Sequence, residues 1–308
     1  MLKEIKNKIV FILGPTAVGK SRIAFELAKR IKSEIISADS MQVYRQVPIL
    51  TSYPPPIMLK NIPHHLISIL GLSKEYNVAK FIKDAKSAIN KISRAKKIPL
   101  VVGGSGLYIQ GLLDGIFSGP GEDRALRRRL EKQAERFGNN HVYEKLRQLD
   151  PETADSIHPN NLRRIIRALE VCIKSGKKMS EVKKKKIGIF NDYDVLLVGL
   201  KRERSQLYQR IDNRVEAMFR QGAVSEAERA LKHRLSKTAL GIIGIKEIAR
   251  FLAKEYNRDE AKRLIKRNSR HFAKRQMSWF KRDKRIKWIM IKEGDADKDI
   301  VQKILSYI

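Results

Sequence analysis

A stretch near the start of the chain, Ile9 to Ser21, restricts the fold more than any other. Five apolar residues, Ile9 to Leu13, lead directly into GPTAVGKS, which fits the pattern G-x-x-x-x-G-K-[ST]. Glycines allow a tight turn whose N–H groups point inward at phosphate oxygens, and a helix that begins at the end of the turn adds positive potential. The pattern predicts a phosphate-binding loop between a buried strand and a helix; a glycine-rich turn without a ligand is the alternative.

Two side chains at the end of this loop have distinct expected roles. Lys20 would reach the phosphates, and the Ser21 hydroxyl would bind Mg²⁺. The apolar residues that follow, such as Ile23 and Leu27, recur at helical spacing, which favours this interpretation. The predicted phosphate-binding residues are Gly14, Pro15, Thr16, Ala17, Val18, Gly19, Lys20 and Ser21.

Positive charge is the strongest compositional signal. The 308 residues include 65 Lys and Arg against 33 Asp and Glu, a formal net charge of +32. Such an excess favours an extended polyanion as the partner, because each neutralised phosphate releases condensed counterions. A basic proteome or a general effect on solubility is the alternative explanation.

Cysteine content and the lengths of apolar runs indicate where the protein works. Cys172 is the only cysteine, which excludes an internal disulfide and suits a reducing cytosol. No apolar run in the sequence is long enough to span a membrane. The single cysteine and six histidines form no visible zinc motif. We therefore expect a cytoplasmic protein without a membrane segment.

Polar residues follow the second predicted strand, which begins at Glu34 and leads into Asp39 and Gln42. In an open α/β sheet, ligands lie at the carboxyl ends of the strands, so Asp39 is expected beside the phosphate-binding loop. It would bind a metal-bound water or accept a proton from a substrate. Capping of the next helix is the alternative.

A third predicted strand begins at Ile98 and runs into Gly103, Gly104, Ser105 and Gly106. ATPases with this kind of loop usually end such a strand with an Asp that binds Mg²⁺. Backbone N–H groups and a hydroxyl are better suited to an anionic leaving group than to a metal.

The character of the sequence changes between about 118 and 189, where charged helical segments replace alternating strands and helices. Arginines recur at helical spacing in two of these segments, and the stretch ends in Lys183 to Lys186, a run that is typical of a solvated surface. We predict a helical insertion domain with a cationic face over 118–189. The catalytic core would then comprise 1–117 and 190–308.

Further patterns complete the predicted core. Five prolines between 48 and 65 indicate an irregular connection, in which His64 and His65 would have a structural role. Asp194 to Leu200 and Ile286 to Ile291 predict later strands. Arg210 and Arg214 lie one turn apart between them, where they would bind a phosphate or form salt bridges. The predicted fold is α/β: a P-loop NTPase-like parallel sheet flanked by helices, with an inserted all-helical domain.

Seven segments in this order resemble signatures of the tRNA dimethylallyltransferase (tRNA isopentenyltransferase, IPP transferase) family. They are GPTAVGKS, SADSMQVYR, IPLVVGGSGLY, HPNNLRRIIRALEV, LYQRIDNRV, TALGIIGIKE and AKRQMSWF, and together they cover nearly the whole chain. The zinc-finger tail of eukaryotic members is absent, which indicates a bacterial-type enzyme. The resemblance implies transfer of a dimethylallyl group from its diphosphate to N6 of the adenosine 3′ of the anticodon. The products would be N6-isopentenyladenosine and diphosphate.

The resemblance also implies roles for individual residues. Asp39 matches the general base for the adenine amino group, and Lys20, Ser105 and Arg214 match the other catalytic groups. Mg²⁺ is the implied cofactor, with Ser21 as its ligand. The residues that match tRNA contacts are Asp39, Ser40, Met41, Gln42, Ser105, Arg127, Arg163, Arg164, Ile165, Ile166, Arg167, Gly244 and Lys246. The expected partners are dimethylallyl diphosphate and the anticodon stem-loop of tRNA, bound by a monomer.

The chain departs from the family pattern at three places. Ser105 replaces the usual Thr and keeps the hydroxyl, Ile245 replaces a Tyr, and Leu50 to Pro54 replace a GTAKP-like segment. Two other functions remain open. A P-loop small-molecule kinase would share the loop and the carboxylate but leave the basic insertion unexplained, and a non-catalytic RNA-binding protein would have no use for the loop.

Overall fold

The structure is a computed structural model that describes residues 8–117, 119–183 and 187–308. It divides into two compact units. One joins Met1–Leu113 to Phe190–Ile308, and the other is Asp114–Ile189. Ser118, where the predicted insertion begins, and 184–186 of the predicted lysine run lie outside the described residues.

A parallel sheet of six strands, counted over the described residues, forms the centre of the first unit. The strands, in chain order, are β1 (Lys8–Leu13), β2 (Ile35–Ala38), β3 (His64–His65), β4 (Leu100–Gly103), β5 (Asp194–Lys201) and β6 (Lys287–Met290). Their spatial order is β3-β2-β4-β1-β5-β6, and every pairing is parallel. The predicted α/β fold with a parallel sheet is confirmed.

The helices are numbered in chain order. They are α1 (Lys20–Arg30), α2 (Pro56–Asn61), α3 (Val78–Arg94), α4 (Gly106–Asp114), α5 (Arg124–Phe137), α6 (Asn139–Leu149), α7 (Pro151–Asp155), α8 (Leu162–Ser175), α9 (Met179–Lys183), α10 (Arg204–Arg220), α11 (Ala223–Leu231), α12 (Ile245–Leu252), α13 (Arg258–Phe280) and α14 (Asp297–Leu305).

The central position of β1 follows from its sequence. Strand β1 pairs with β4 on one side and β5 on the other, with Val10 opposite both Leu100 and Leu196. Residues Ile9 to Leu13 are at most 1% exposed. A parallel strand that is covered on both faces requires a continuous apolar run rather than an alternating one. The strand therefore delivers the GPTAVGKS loop to the carboxyl edge of the sheet.

The prediction of an irregular connection between 48 and 65 is wrong in part. Pro56 begins α2, because proline has no N–H to lose at the first position of a helix and its fixed φ suits the helix. His64 and His65 form β3, which pairs with Ile35 and Ile36 of β2. The ring Nε2 of His65 bonds to Glu34 Oε2 at 2.8 Å, so this half-buried histidine has a structural role at the edge of the sheet.

The second unit is built from helices α5 to α9. Its core contains Leu126 and Leu130 of α5, Val142 and Leu146 of α6, and Leu169 of α8. Strong amphipathic patterns on α5 and α8 explain this packing, since each helix contributes one apolar face. This unit begins at Asp114 and the sequence-predicted insertion at 118; both end at 189.

Helix α13 is 23 residues long and carries charged residues along its length. Within the described ranges, none of the helices combines the length and the apolar character needed to cross a membrane.

Candidate active site

The GPTAVGKS loop has a backbone conformation that its glycines permit. Gly14 has a φ of +145°, and a Cβ there would lie 2.5 Å from the carbonyl oxygen of Leu200. Gly19, at φ +113°, precedes the first residue of α1. Both φ values lie in the range that side chains disfavour. The loop therefore ends at the start of α1, where the N–H groups of the first helical turn and the helix dipole favour a bound phosphate.

Lys20 lies at the centre of the charged groups of this site. Its Nζ donates hydrogen bonds to the carbonyl oxygens of Gly14 at 3.0 Å and Pro15 at 2.7 Å. Burial lowers the pKa of Lys20 to about 8, and repulsion from Arg214 adds to this, while attraction to Asp39 opposes it. The ammonium is thus partly desolvated and becomes a strong local source of positive potential for an anion.

Arg214 approaches the loop from α10. Its Nη1 donates to the hydroxyl of Thr16 at 2.5 Å. Ile211 and Val215 lie on the buried face of α10, and Arg214 lies beside that face. The guanidinium is therefore held at the site. Burial lowers the pKa of Arg214, and the Asp39 carboxylate opposes this effect. The sequence left a phosphate contact and a salt bridge open for this residue, and the contact it makes is with the loop.

Asp39 follows β2 directly and turns its carboxylate toward the same site. Its Oδ1 accepts the backbone N–H of Met41 at 2.8 Å, which fixes the side chain in a local turn. No ion pair to Asp39 occurs among the described residues, although its carboxylate is near enough to Lys20 and Arg214 to oppose the lowering of their pKa values by burial. A carboxylate positioned by one backbone bond retains lone pairs that can accept a proton.

The turn after β4 is held against the end of β2. A Cβ at Gly103 would lie 2.3 Å from the carbonyl oxygen of Ala38, so only glycine permits this approach. The N–H of Ser105 donates to Ala38 at 3.3 Å, and the Ser105 hydroxyl accepts the N–H of Ser40 at 3.1 Å. We predicted that backbone N–H groups of this turn would bind an anionic leaving group. At Ser105, the N–H is instead used for a hydrogen bond within the protein. Ser105 positions the segment that carries Asp39.

Two cavities share a wall at this site. The larger, of about 820 Å³, is polar near the loop and is lined by Thr16, Lys20, Ser21, Asp39, Gln42, Arg210, Arg214, Gln276 and part of the segment between Pro48 and Leu59. The smaller, of about 200 Å³, is lined mainly by apolar side chains, among them Met41, Leu50, Ile211, Val215, Met218, Ile242, Ile265 and Phe272. Thr16, Asp39, Thr51, Arg214 and Met218 line both. The Asp39 carboxylate and the Arg214 guanidinium thus lie at the boundary between the cavity that contains the phosphate-binding loop and the second, mainly apolar cavity.

The oxygen donors at the larger cavity fit a magnesium ion. Ser21 lines this cavity with Asp39, and a diphosphate bound to the loop would supply further oxygens. Mg²⁺ prefers oxygen ligands, keeps several waters and needs few protein groups when phosphates are present. In the described part of the chain, no group of three His, Cys, Asp or Glu side chains forms a metal site by itself. Ser21 therefore stays the predicted protein ligand.

Besides Asp39, two predicted tRNA contacts in the first unit line these cavities: Gln42 lines the larger and Met41 the smaller. Ser40, Met41 and Gln42 are half-buried. Gln42 accepts a bond from Ser37 at 2.9 Å and donates to the carbonyl oxygen of Ser52 at 2.9 Å, so it links β2 to the segment that departs from the family pattern.

Gly244 and Lys246 lie at the start of α12. Gly244 is buried at φ +110°, and a Cβ there would lie 2.6 Å from Leu50. Its N–H donates to Glu247 Oε2 at 2.9 Å. Lys246 is exposed. Of these two predicted contacts, Lys246 has the accessible side chain.

The predicted tRNA contacts in the second unit are of three kinds: exposed arginines, buried isoleucines, and arginines that bind a buried carboxylate. Arg163 and Arg164 are exposed. Ile165 and Ile166 are 0% and 4% exposed and belong to the core, because they lie on the apolar face of α8. Their side chains are therefore packed inside the second unit, and the contact of these two residues with tRNA stays a prediction.

Arg127 and Arg167 bind a buried carboxylate within the second unit. Arg127 donates to Glu170 through Nε at 3.0 Å and Nη2 at 2.8 Å, and Arg167 donates through Nη1 at 2.5 Å. Burial would raise the pKa of Glu170, but bonds from Arg127, the Asp123 N–H and Arg167 outweigh it and lower the pKa to about 2. Helical spacing indicated a cationic face; the structure adds that two of its arginines have an internal partner.

The sequence argument missed Gln276, which lines the larger cavity from α13. Its only sequence signal is its place in the AKRQMSWF segment. Arg210, which the sequence analysis named together with Arg214, also lines the larger cavity and donates to the carbonyl oxygen of Ala17 at 2.8 Å. The apolar wall of the smaller cavity was missed as well, since Met218 and Phe272 follow ordinary core spacing.

Family models match most of the chain. The model described as IPP transferase matches residues 42–283, and the one described as Isopentenyl transferase matches residues 7–63. A tRNA dimethylallyltransferase of Halothermothrix orenii is 44% identical over 295 residues, which are 95% of this chain and 90% of the relative. Another, of Alkaliphilus oremlandii, is 42% identical over 305 residues, 98% of this chain and 97% of the relative.

Solved structures give the same result for the fold. The full-length tRNA isopentenylpyrophosphate transferase from Bacillus halodurans has a TM-score of 0.72 and 36% identity, over 98% of this chain and 95% of that one. A eukaryotic dimethylallyltransferase described as acting on tRNA has a TM-score of 0.80 and 28% identity, over 98% of this chain and 80% of that one.

Proposed function

Since the chain belongs to the IPP transferase family, we propose that it is a tRNA dimethylallyltransferase. It transfers a dimethylallyl group from dimethylallyl diphosphate to N6 of the adenosine 3′ of the anticodon. The products are N6-isopentenyladenosine and diphosphate. The observation that carries this proposal is the position of Asp39 and Arg214 at the wall shared by the two cavities.

The phosphate-binding loop holds the diphosphate of the donor. Lys20 and Arg214 stabilise the negative charge that develops as the bond between the allylic carbon and oxygen breaks. Both are partly desolvated, which strengthens this interaction. When bound through Ser21, Mg²⁺ would neutralise further charge on the diphosphate.

Asp39 receives the proton that the reaction releases. N6 of adenine forms a bond to the allylic carbon, and its proton passes to the carboxylate as the leaving group departs. The target base has to leave the stacked anticodon loop to enter the site, as in other enzymes that modify bases. Apolar walls around the smaller cavity suit the hydrocarbon part of the reaction.

Exposed basic residues bind the tRNA backbone. Arg163, Arg164 and Lys246 have accessible side chains, and the net charge of +32 supports an extended polyanion as substrate. We propose that these residues contact phosphates of the anticodon arm, which fixes the position of the RNA without reading its sequence. The Asp39 carboxylate and the hydroxyl groups of Ser40 and Ser105 contact the base that enters the site.

We propose that the active form is a monomer. A tRNA substrate and a lone, buried Cys172 support a cytoplasmic location. Size-exclusion chromatography with light scattering tests the first of these proposals: a dimer that retains all the activity would contradict it.

One assay separates the proposed function from the alternatives. Purified protein is incubated with Mg²⁺, dimethylallyl diphosphate and an anticodon stem-loop that carries adenosine 3′ of the anticodon, and the RNA is analysed by mass spectrometry. We expect prenylated RNA, and no product from a stem-loop with guanosine at that position. Consumption of ATP with a small acceptor and no prenylated RNA would favour a kinase. RNA binding without either reaction would favour a non-catalytic protein.

Asp39→Asn tests the role of the carboxylate. Loss of a general base lowers turnover by about 10²- to 10⁴-fold, and we expect the dissociation constant for the stem-loop to stay nearly the same. Asp192→Asn is the matched control, because Asp192 is exposed and lines neither cavity. Full turnover with weakened RNA binding in Asp39→Asn would show that this residue binds RNA rather than accepts the proton.

A further inference from the structure

Gln276 connects two loops at the carboxyl edge of the sheet. Its Oε1 accepts the backbone N–H of Thr16 at 2.8 Å, and its Nε2 donates to the carbonyl oxygen of Gly104 at 3.0 Å. Only 5% of the residue is exposed. The amide therefore uses a donor and an acceptor inside the protein, where an unpaired polar group is costly.

We propose that Gln276 is a positioning residue that holds the phosphate-binding loop in the conformation that binds diphosphate. By accepting the N–H of Thr16, it also removes this donor from the groups available to the ligand. The N–H groups that remain belong to later residues of the loop, nearer the start of α1. This inference rests on the proposed function in one respect, namely that a diphosphate is the ligand of the loop.

Thr16 is fixed from two sides, which supports the proposal. Gln276 bonds to its backbone, and Arg214 bonds to its hydroxyl at 2.5 Å. The two partners come from α13 and α10, so the loop is joined to two helices at one residue. A loop that is ordered before the ligand arrives loses less conformational entropy on binding.

The glycine at position 104 makes room for this amide. A Cβ at Gly104 would lie 2.1 Å from Gln276 Nε2 and 3.1 Å from the carbonyl oxygen of Gly14. A side chain at 104 would therefore displace either the amide or the loop. The Gly103-Gly104 pair thus has two separate functions: Gly103 allows β4 to approach Ala38, and Gly104 allows Gln276 to reach the loop.

Gln276→Met tests the proposal, because methionine has a similar length and forms neither bond. Inorganic diphosphate with Mg²⁺ is titrated into each protein in a calorimeter. We expect the dissociation constant to rise about ten- to a hundredfold, the effect of leaving a buried donor and acceptor unpaired. Affinity for the anticodon stem-loop alone should stay the same. The matched control is Gln209→Met, since Gln209 is an exposed glutamine whose Nε2 donates to Asn213 Oδ1 at 3.1 Å and which lines neither cavity.

Gln276→Glu provides a second test with a different measurement. The protonated carboxyl can copy both bonds of the amide, with one oxygen accepting from Thr16 and its O–H donating to Gly104. The ionised carboxylate cannot donate and adds a negative charge near the diphosphate. We expect the ratio of variant to wild-type dissociation constants for diphosphate to fall as the pH is lowered from 8 to 5.5. A residue that only stabilises the fold would give a ratio that does not change with pH.

Failure of the proposal for Gln276 can be distinguished from failure of the proposed function, because diphosphate binding and prenyl transfer are measured separately. A folded Gln276→Met protein that binds diphosphate within twofold of the wild type would overturn the proposal. If that variant does not fold, a pH-independent ratio for Gln276→Glu would overturn it instead. A wild-type protein that binds diphosphate but transfers no prenyl group would refute the proposed function and leave this test valid.

Discussion

The pH dependence of diphosphate binding gives a quantitative test of the charge arrangement around Lys20. Burial, aided by Arg214 and opposed by Asp39, lowers the pKa of Lys20 to about 8 in the free protein. The ammonium is therefore about 90% charged at pH 7 and about 10% charged at pH 9. Only the charged form of Lys20 attracts the diphosphate. The affinity for diphosphate is therefore highest well below pH 8 and falls as the pH rises through this value. We expect the association constant to fall about tenfold between pH 7 and pH 9.

Calorimetric titration of inorganic diphosphate with Mg²⁺ across this pH range provides the measurement. Lys20→Arg is the reference protein, because a guanidinium stays charged over the whole range. Ionisation of the diphosphate itself affects both proteins equally and cancels in the ratio of their dissociation constants. A ratio that is the same at pH 7 and pH 9 would show that Lys20 has an ordinary pKa and would refute the argument.

Asp39→Asn adds a directional test of the same arrangement. The carboxylate raises the pKa of Lys20, so its removal should lower this pKa further. The loss of diphosphate affinity should then begin at a lower pH than in the wild type. An unchanged or higher midpoint would contradict the attraction between Asp39 and Lys20.

Three other predictions concern the framework and the RNA. In Gly103→Ala, the new Cβ would lie 2.3 Å from the Ala38 carbonyl oxygen, and we expect a loss of about 1–3 kcal/mol in the free energy of unfolding, or a Tm lowered by about 2–4 °C for each kcal/mol. The control is Gly121→Ala, where no atom of the described residues lies within 4 Å of the added Cβ, and it should have the wild-type Tm. Equal Tm values for both variants would contradict the clash. The pKa of Glu170 is lowered from 4.5 to about 2. The carboxylate therefore stabilises the fold by about 3 kcal/mol above pH 4.5, and this stabilisation is lost as the pH falls toward 2. Urea unfolding should show that Glu170→Gln lacks this pH dependence, and equal acid sensitivity of the variant and the wild type would disprove the prediction. Arg164→Ala should weaken binding of the stem-loop and reduce the slope of log K against log salt by about 1, whereas an unchanged slope would mean that Arg164 contacts no phosphate.

Local sequence was sufficient to predict the central elements of the core. The apolar run before GPTAVGKS specifies a strand covered on both faces, and the positive φ values at Gly14 and Gly19 require residues without a Cβ. Both properties depend on neighbouring residues along the chain. The same holds for Asp39, which follows β2 and therefore lies at the edge of the sheet where ligands bind.

Tertiary structure decided which side chains meet, because such contacts depend on how distant elements pack. Gln276 bonds to Thr16 across 260 residues of sequence, and no local pattern around either residue indicates this contact. Arginine spacing on α5 and α8 indicated a charged face, yet only the packing of these helices around the buried Glu170 shows that Arg127 and Arg167 have an internal partner. Sequence by itself therefore determined the phosphate-binding loop and its chemistry. The fold determined what holds that loop in place, since a buried polar group must find its partner wherever the packing brings one.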